Sequence, residues 1–110
     1  MRYLICLPTY NEAENVAFMI DELLKYNYKN FIISDAHSSD GTAEIALDKG
    51  AKVLKRSGHG KGYAVKDALF YAKENNFDAL ILLDCDQTYP VYEIQRLIAA
   101  FPRADMVVGC

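Results

Sequence analysis

Short apolar runs of strand type alternate with segments of helical spacing along the whole chain, and this alternation restricts the fold more than any other feature. Residues 2–7, 31–35, 51–55, 78–83 and 105–108 read as strands. Between the first two, residues 12–26 place Val16, Met19, Ile20, Leu23 and Leu24 at the i, i+3, i+4, i+7 and i+8 positions of an apolar helix face. A Ser38-Ser39-Asp40-Gly41-Thr42 cluster opens a short helix to about residue 48. Residues 63–74 carry helical spacing through Val65, Ala68, Leu69 and Ala72, with Asn75 and Asn76 as the stop, and residues 91–101 follow Pro90 as a last helix. Such a series predicts right-handed βαβ units, and hence an α/β fold of three layers, with a mostly parallel Rossmann-like sheet covered on both faces. With no repeat, linker or low-complexity tract, the 110 residues read as a single domain, 1–110.

Ligands of open parallel sheets bind in the crevice beyond the carboxyl ends of the strands. Three polar loops are expected there: Pro8 to Glu12, Asp35 to Thr42, and Asp84 to Thr88. In the third, the run 78–83 stops on Asp84-Cys85-Asp86. Alternation along an extended strand would turn both carboxylates to one side and Cys85 to the other. Paired carboxylates repel unless a cation lies between them, and a hard divalent ion such as Mg²⁺ or Mn²⁺ prefers such oxygen ligands. The pair alone equally fits a strand ending in an Asp-rich turn.

The first loop has no glycine, which argues against the Gly-rich turn of a dinucleotide fold. Thr9 and Glu12 have the spacing of a capping box for the first helix. Asp35, at a strand end, is suited to accept a hydrogen bond from a base N–H, while Ser38, Ser39 or Asp40 would cap the second helix. Gly58, Gly60 and Gly62 surround Lys61, which could meet phosphate oxygens as a point charge. This is no Walker loop, since no Ser or Thr follows Lys61.

Composition narrows the partners. A net charge of −3 supplies no basic stripe for nucleic acid. Cys6, Cys85 and Cys110 lack metal-ligand spacing and read as reduced thiols of a cytoplasmic protein. No apolar stretch approaches the roughly 20 residues of a membrane span.

In order and spacing, LPTYNEAEN (residues 7–15), SDAHSSDGT (34–42), GKG (60–62), LDCD (83–86) and DMVVG (105–109) resemble the family 2 glycosyltransferases. The resemblance is nearest to those that load mannose or glucose onto dolichyl or another polyprenyl phosphate. It implies the GT-A fold, of which this chain would be the nucleotide-binding half, and metal-dependent, inverting transfer from a GDP- or UDP-linked sugar. By position, Pro8, Tyr10 and Glu12 would line the nucleoside pocket and Asp35 would contact the base. Lys61 would serve the donor phosphates, Asp84 would face ribose or metal, and Asp86 would hold Mg²⁺ or Mn²⁺ on the diphosphate. A polyprenyl phosphate acceptor would bring the protein to the cytoplasmic face of a membrane.

The chain departs from the family at Ala36 and His37, where a second Asp and a Gly are usual. It is also much shorter than family members, which suggests an N-terminal portion lacking the acceptor contacts and any catalytic base. The resemblance therefore leaves open a non-catalytic nucleotide-binding or assembly module. A receiver-like domain is disfavoured, because Leu7-Pro8-Thr9-Tyr10 stands where that fold needs acids. Oligomeric state is not legible.

Overall fold

The computed structural model describes residues 2–55, 61–83, 91–100 and 106–109. In chain order the elements are β1 (Tyr3–Thr9), α1 (Ala13–Lys25), β2 (Phe31–Asp35), α2 (Thr42–Asp48), β3 (Lys52–Lys55), α3 (Lys61–Glu74) and β4 (Ala79–Leu83). A single 3-10 turn at Val91–Glu93 then leads into α4 (Ile94–Ala100), and β5 (Met106–Gly109) completes the sheet. The strands lie in the order β3-β2-β1-β4-β5, and every described pairing is parallel. The chain thus steps outward from β1 to β3 and returns to the other side of β1 for β4. This reversal creates a topological switch point beyond the carboxyl ends of β1 and β4.

Alternation of side chains divides the core into two. Ile5, Leu7, Ile33, Ile81 and Leu83 face Val16, Met19, Ile20 and Leu23 of α1, Ala46 of α2 and Ile94 of α4. On the opposite face Leu4, Cys6, Ile32, Leu80 and Leu82 pack on Ala68 and Ala72 of α3. All five residues of β4 are buried, as expected of a strand covered on both sides. Each fully buried Leu or Ile contributes about 1.5–3 kcal/mol, so these two layers supply most of the driving force.

Three helices end in the same device. Asn27, Gly50 and Asn76 take positive φ at 66°, 85° and 61° just past α1, α2 and α3. In each case the next residue's N–H returns to the last turn: Tyr28 to the Leu23 carbonyl, Ala51 to Ala46, and Phe77 to Ala72. These are Schellman closures, and each seats an apolar residue under its helix.

Several boundaries differ from the sequence reading. β1 runs on through Pro8 and Thr9. Ile5 and Thr9 hydrogen-bond toward β2, through Asn30 and Ala36, so the backbone of Pro8 faces the β4 side. Described pairing with β4 ends at Cys6–Leu82, hence the missing N–H of Pro8 costs no described ladder bond. α3 begins at Lys61 rather than Tyr63, which makes Lys61 and Gly62 helical instead of loop residues. Ala51 belongs to the closure of α2 and not to β3, and Leu24 is exposed rather than core-facing.

Candidate functional site

The carboxyl ends of β1, β2 and β3 meet in one rung, Thr9–Asp35–Lys55, fixed by the register of the ladders. Thr9 and Asp35 continue the face that carries Leu7 and Ile33, so both side chains cap the α1 side of the core and are buried. The Thr9 hydroxyl donates to Asp35 Oδ1 at 2.8 Å. Ser38 donates its hydroxyl to the same oxygen at 2.6 Å and its backbone N–H to Oδ2 at 2.9 Å. Lys55 Nζ stands 3.5 Å from Oδ2. Burial alone would push the Asp35 carboxyl up; the bonds from Ser38 and Thr9 and the Lys55 charge outweigh it and hold the group below its ordinary value. Three hydrogen bonds and the nearby Lys55 charge thus occupy most of the carboxylate, leaving little acceptor capacity for a base N–H.

Past Thr9 the chain turns sharply. Tyr10 is 57% exposed, and Asn11 adopts φ of 53° before α1 begins at Ala13. Three successive backbone N–H groups in this turn have no partner in their own helix, and each is received by a side chain of the second loop. Asn11 donates to Ser38 Oγ at 2.8 Å, Glu12 to Thr42 Oγ1 at 2.9 Å and Ala13 to Asp40 Oδ2 at 3.1 Å. In return, the Ser39 N–H donates to Asn11 Oδ1 at 2.9 Å and the Ala36 N–H to the Thr9 carbonyl at 3.0 Å. The Thr42 hydroxyl and N–H close on Asp40 Oδ1. Those bonds from Thr42, with the Ala13 N–H, hold the exposed Asp40 carboxyl below its ordinary value.

The expected capping box therefore does not form. Thr9 still belongs to β1, four positions before the first helical residue. Glu12 occupies the cap position without a side-chain cap bond, and its carboxylate instead accepts from Asn15 Nδ2 at 3.0 Å. Asp40, one of the three residues expected to cap the second helix, accepts the Thr42 N–H at the start of α2 through Oδ1 and the Ala13 N–H at the start of α1 through Oδ2, with Gly41 (φ 92°) preceding α2.

Of the residues singled out in the sequence, Pro8, Tyr10, Glu12 and Asp35 come together on this edge of the sheet. Pro8 and Glu12 are half-buried and Tyr10 projects outward. Lys61 starts α3, with its side chain outside the described residues. Asp84 and Asp86 also lie outside them, and no group of three or more metal-ligating side chains occurs among the described residues. Sequence reasoning passed over Asn11, Ser38 and Thr42 as parts of the site. The positive φ of Asn11 had one signal, an Asn placed between strand and helix, since Asn is among the few residues that tolerate it. No described helix is long and apolar enough to cross a membrane.

Similarity to known proteins agrees with this architecture. The chain is 37% identical to glycosyltransferase AglJ of Haloferax volcanii, over 96% of its own length and 34% of the relative's. It is 30% identical to the undecaprenyl-phosphate mannosyltransferase of Micrococcus luteus, over 99% of this chain and 48% of the other. It thus spans between a third and a half of the length of these relatives. Among solved structures, mannosyl-3-phosphoglycerate synthase from Rubrobacter xylanophilus superimposes with a TM-score of 0.79 at 26% identity, over 94% of this chain and 36% of that one. Glucosyl-3-phosphoglycerate synthase from Mycobacterium tuberculosis, solved in complex with Mn²⁺ and UDP-glucose, shares the fold with a TM-score of 0.75 at 21% identity, over 91% and 39% of the two chains. Residues 4–110 match the family described as Glycosyl transferase family 2, and the chain belongs to that family.

Proposed function

We propose that this chain is the donor-binding part of a metal-dependent, inverting hexosyltransferase that takes a nucleoside diphosphate sugar and delivers the sugar to an acceptor such as a polyprenyl phosphate. The observation that carries the reading is the joining of the β1 and β2 loops at the switch-point edge, where an exposed Tyr10 and a half-buried Glu12 stand beside the Thr9–Asp35–Ser38 network. Two relatives support the acceptor class, one an undecaprenyl-phosphate mannosyltransferase and the other a polyprenol monophosphomannose synthase.

In this reading Tyr10 offers a ring face to the nucleoside, with Pro8 and Glu12 lining the same pocket. Asp35, engaged by three hydrogen bonds, serves the base by fixing Thr9 and Ser38 and contacts it through its remaining acceptor position or when one partner yields. Lys61 adds positive charge for the phosphates. Asp84 and Asp86 are a donor set suited to Mg²⁺ or Mn²⁺, which would neutralise charge on the departing diphosphate. Inversion follows when an acceptor oxygen bonds to the anomeric carbon on one face while the carbon–oxygen bond to the diphosphate breaks on the other. A phosphate oxygen of the acceptor is already anionic and needs no base for this step, whereas a hydroxyl acceptor would need one. A polyprenyl acceptor would place the reaction at the cytoplasmic face of a membrane.

Calorimetric titration with UDP, GDP and their sugar conjugates, with and without Mn²⁺, tests the reading. Metal-dependent binding that weakens in Tyr10→Ala and in Asp86→Ala is expected. Binding of no nucleotide, or binding indifferent to both metal and Asp86, would sink it.

A further inference from the structure

We propose that Asn11 is a positioning residue that sets the angle between Tyr10 and Glu12. The inference rests on the nucleotide reading, since it concerns how that pocket is held in shape. Asn11 sits between the two side chains expected to line the pocket, and its φ of 53° is the point at which the chain leaves β1 and turns into α1. Its side-chain oxygen is engaged by the second loop: Oδ1 receives the Ser39 N–H at 2.9 Å, while its backbone N–H is bonded to Ser38 Oγ at 2.8 Å. Asn11 is therefore held at two points by the second loop, from both its backbone and its side chain. Residues on either side are fixed by other means, Thr9 through Asp35 and Ala36, Glu12 through Thr42. Between these anchors the path of the chain is set at Tyr10 and Asn11, and the two bonds from the second loop hold Asn11, so they help to fix the direction in which the Tyr10 side chain leaves the backbone.

Two properties are needed at this position, tolerance of positive φ and an acceptor oxygen for Ser39. Asn and Asp have both, Gly has the first alone, and Ala has neither. The ranking of variants follows from this. Nucleotide affinity should fall roughly tenfold in Asn11→Ala and by a smaller factor in Asn11→Gly, and remain within about twofold in Asn11→Asp when salt screens the added charge. The ratio of UDP to GDP affinity should stay constant, because Asn11 acts on the orientation of the pocket and not on the base.

The experiment is titration of the four proteins with UDP and GDP in the presence of Mn²⁺ at 0.5 M salt, well below the melting transition of each. Recovery by Asn11→Asp with an unchanged base ratio supports the positioning role, which a general loss of folding would not reproduce. Equal affinity in Asn11→Ala and the parent overturns it, as does a loss in Asn11→Asp matching that in Asn11→Ala. Failure of the parent chain to bind any nucleotide removes the donor-site reading itself, and this inference with it.

Discussion

Replacing Asp35 by Asn keeps its shape and removes its charge, and the structure fixes how much that should matter. The carboxylate accepts from the Thr9 hydroxyl, the Ser38 hydroxyl and the Ser38 N–H, within a fully buried setting. An amide can keep this geometry by turning its oxygen toward the Ser38 N–H and its NH₂ toward the two hydroxyls, which rotate to accept. What it loses is the charged character of the three bonds. Hydrogen bonds to a charged group contribute about 1.5–3 kcal/mol against 0.5–1.5 for neutral ones, a gross loss of about 3 kcal/mol over three bonds. The neutral amide is cheaper to bury, and Lys55, half in solvent, adds little. A net cost of about 2 kcal/mol at pH 7 results, equivalent to about 10 °C in melting temperature for a domain of this size.

The sign of the pH dependence makes the test specific. The folded Asp35 carboxyl lies below its ordinary value, so ionisation stabilises the fold. That contribution is complete above about pH 5, declines as the pH falls past the unfolded value near 3.9, and vanishes below the folded one. Urea unfolding of the parent and Asp35→Asn at several pH values between 7 and 3 should therefore show a gap that narrows steadily in acid. A variant as stable as the parent at pH 7, or a gap that stays constant down to pH 3, refutes the reasoning.

The three other predictions concern the devices that shape the loops and helix ends. Thr42→Val keeps the volume of a buried side chain but strands the Glu12 N–H, and should cost about 1–2 kcal/mol by chemical denaturation, together with faster hydrogen exchange at Glu12. Gly50→Ala should destabilise by about 1 kcal/mol, because the position needs φ of 85° although a methyl group would meet no atom within 4 Å. Asn76→Gly, at the equivalent position of α3, should be neutral or slightly stabilising in the same melts.

Much of the fold was legible because its signals are periodic and local. Val16, Met19, Ile20 and Leu23 fill the core as their spacing implies, and the uninterrupted apolar run of β4 reports burial on both faces. Boundaries were less legible where local chemistry is ambiguous. Pro8 reads as a strand terminator, yet in this sheet its missing donor falls on a side where no described pairing asks for one. Leu24 matches the apolar stripe but lies at its margin, where the last turn of α1 turns it out to solvent. Tyr10, Glu12 and Asp35 could be grouped at one sheet edge from order alone, because parallel strands bring all their carboxyl ends together. The partners of Asp35 could not, since they depend on the register that sets Thr9 level with Asp35 and Asp35 level with Lys55.

The capping of α1 shows why sequence spacing misassigned this part of the site. A capping box is recognised within four residues, and Thr9 and Glu12 satisfy it on paper. The helix start needs acceptors for its unpaired N–H groups whatever their origin, and β1 holds Thr9 back for Asp35. Asp40 and Thr42 then meet that need from about thirty residues away. A helix capped by its own residues would fold with the first loop independent of the second. Capped from outside, the N-terminal turn of α1 gains its capping bonds, about 1 kcal/mol each, only when β2 and α2 are in place, so the pocket edge and the sheet stabilise one another. Stability of the β1–β2 pairing and the shape of the loop carrying Tyr10 are consequently one property, and a substitution in the second loop should disturb the first even though the two are separated by an entire helix and strand.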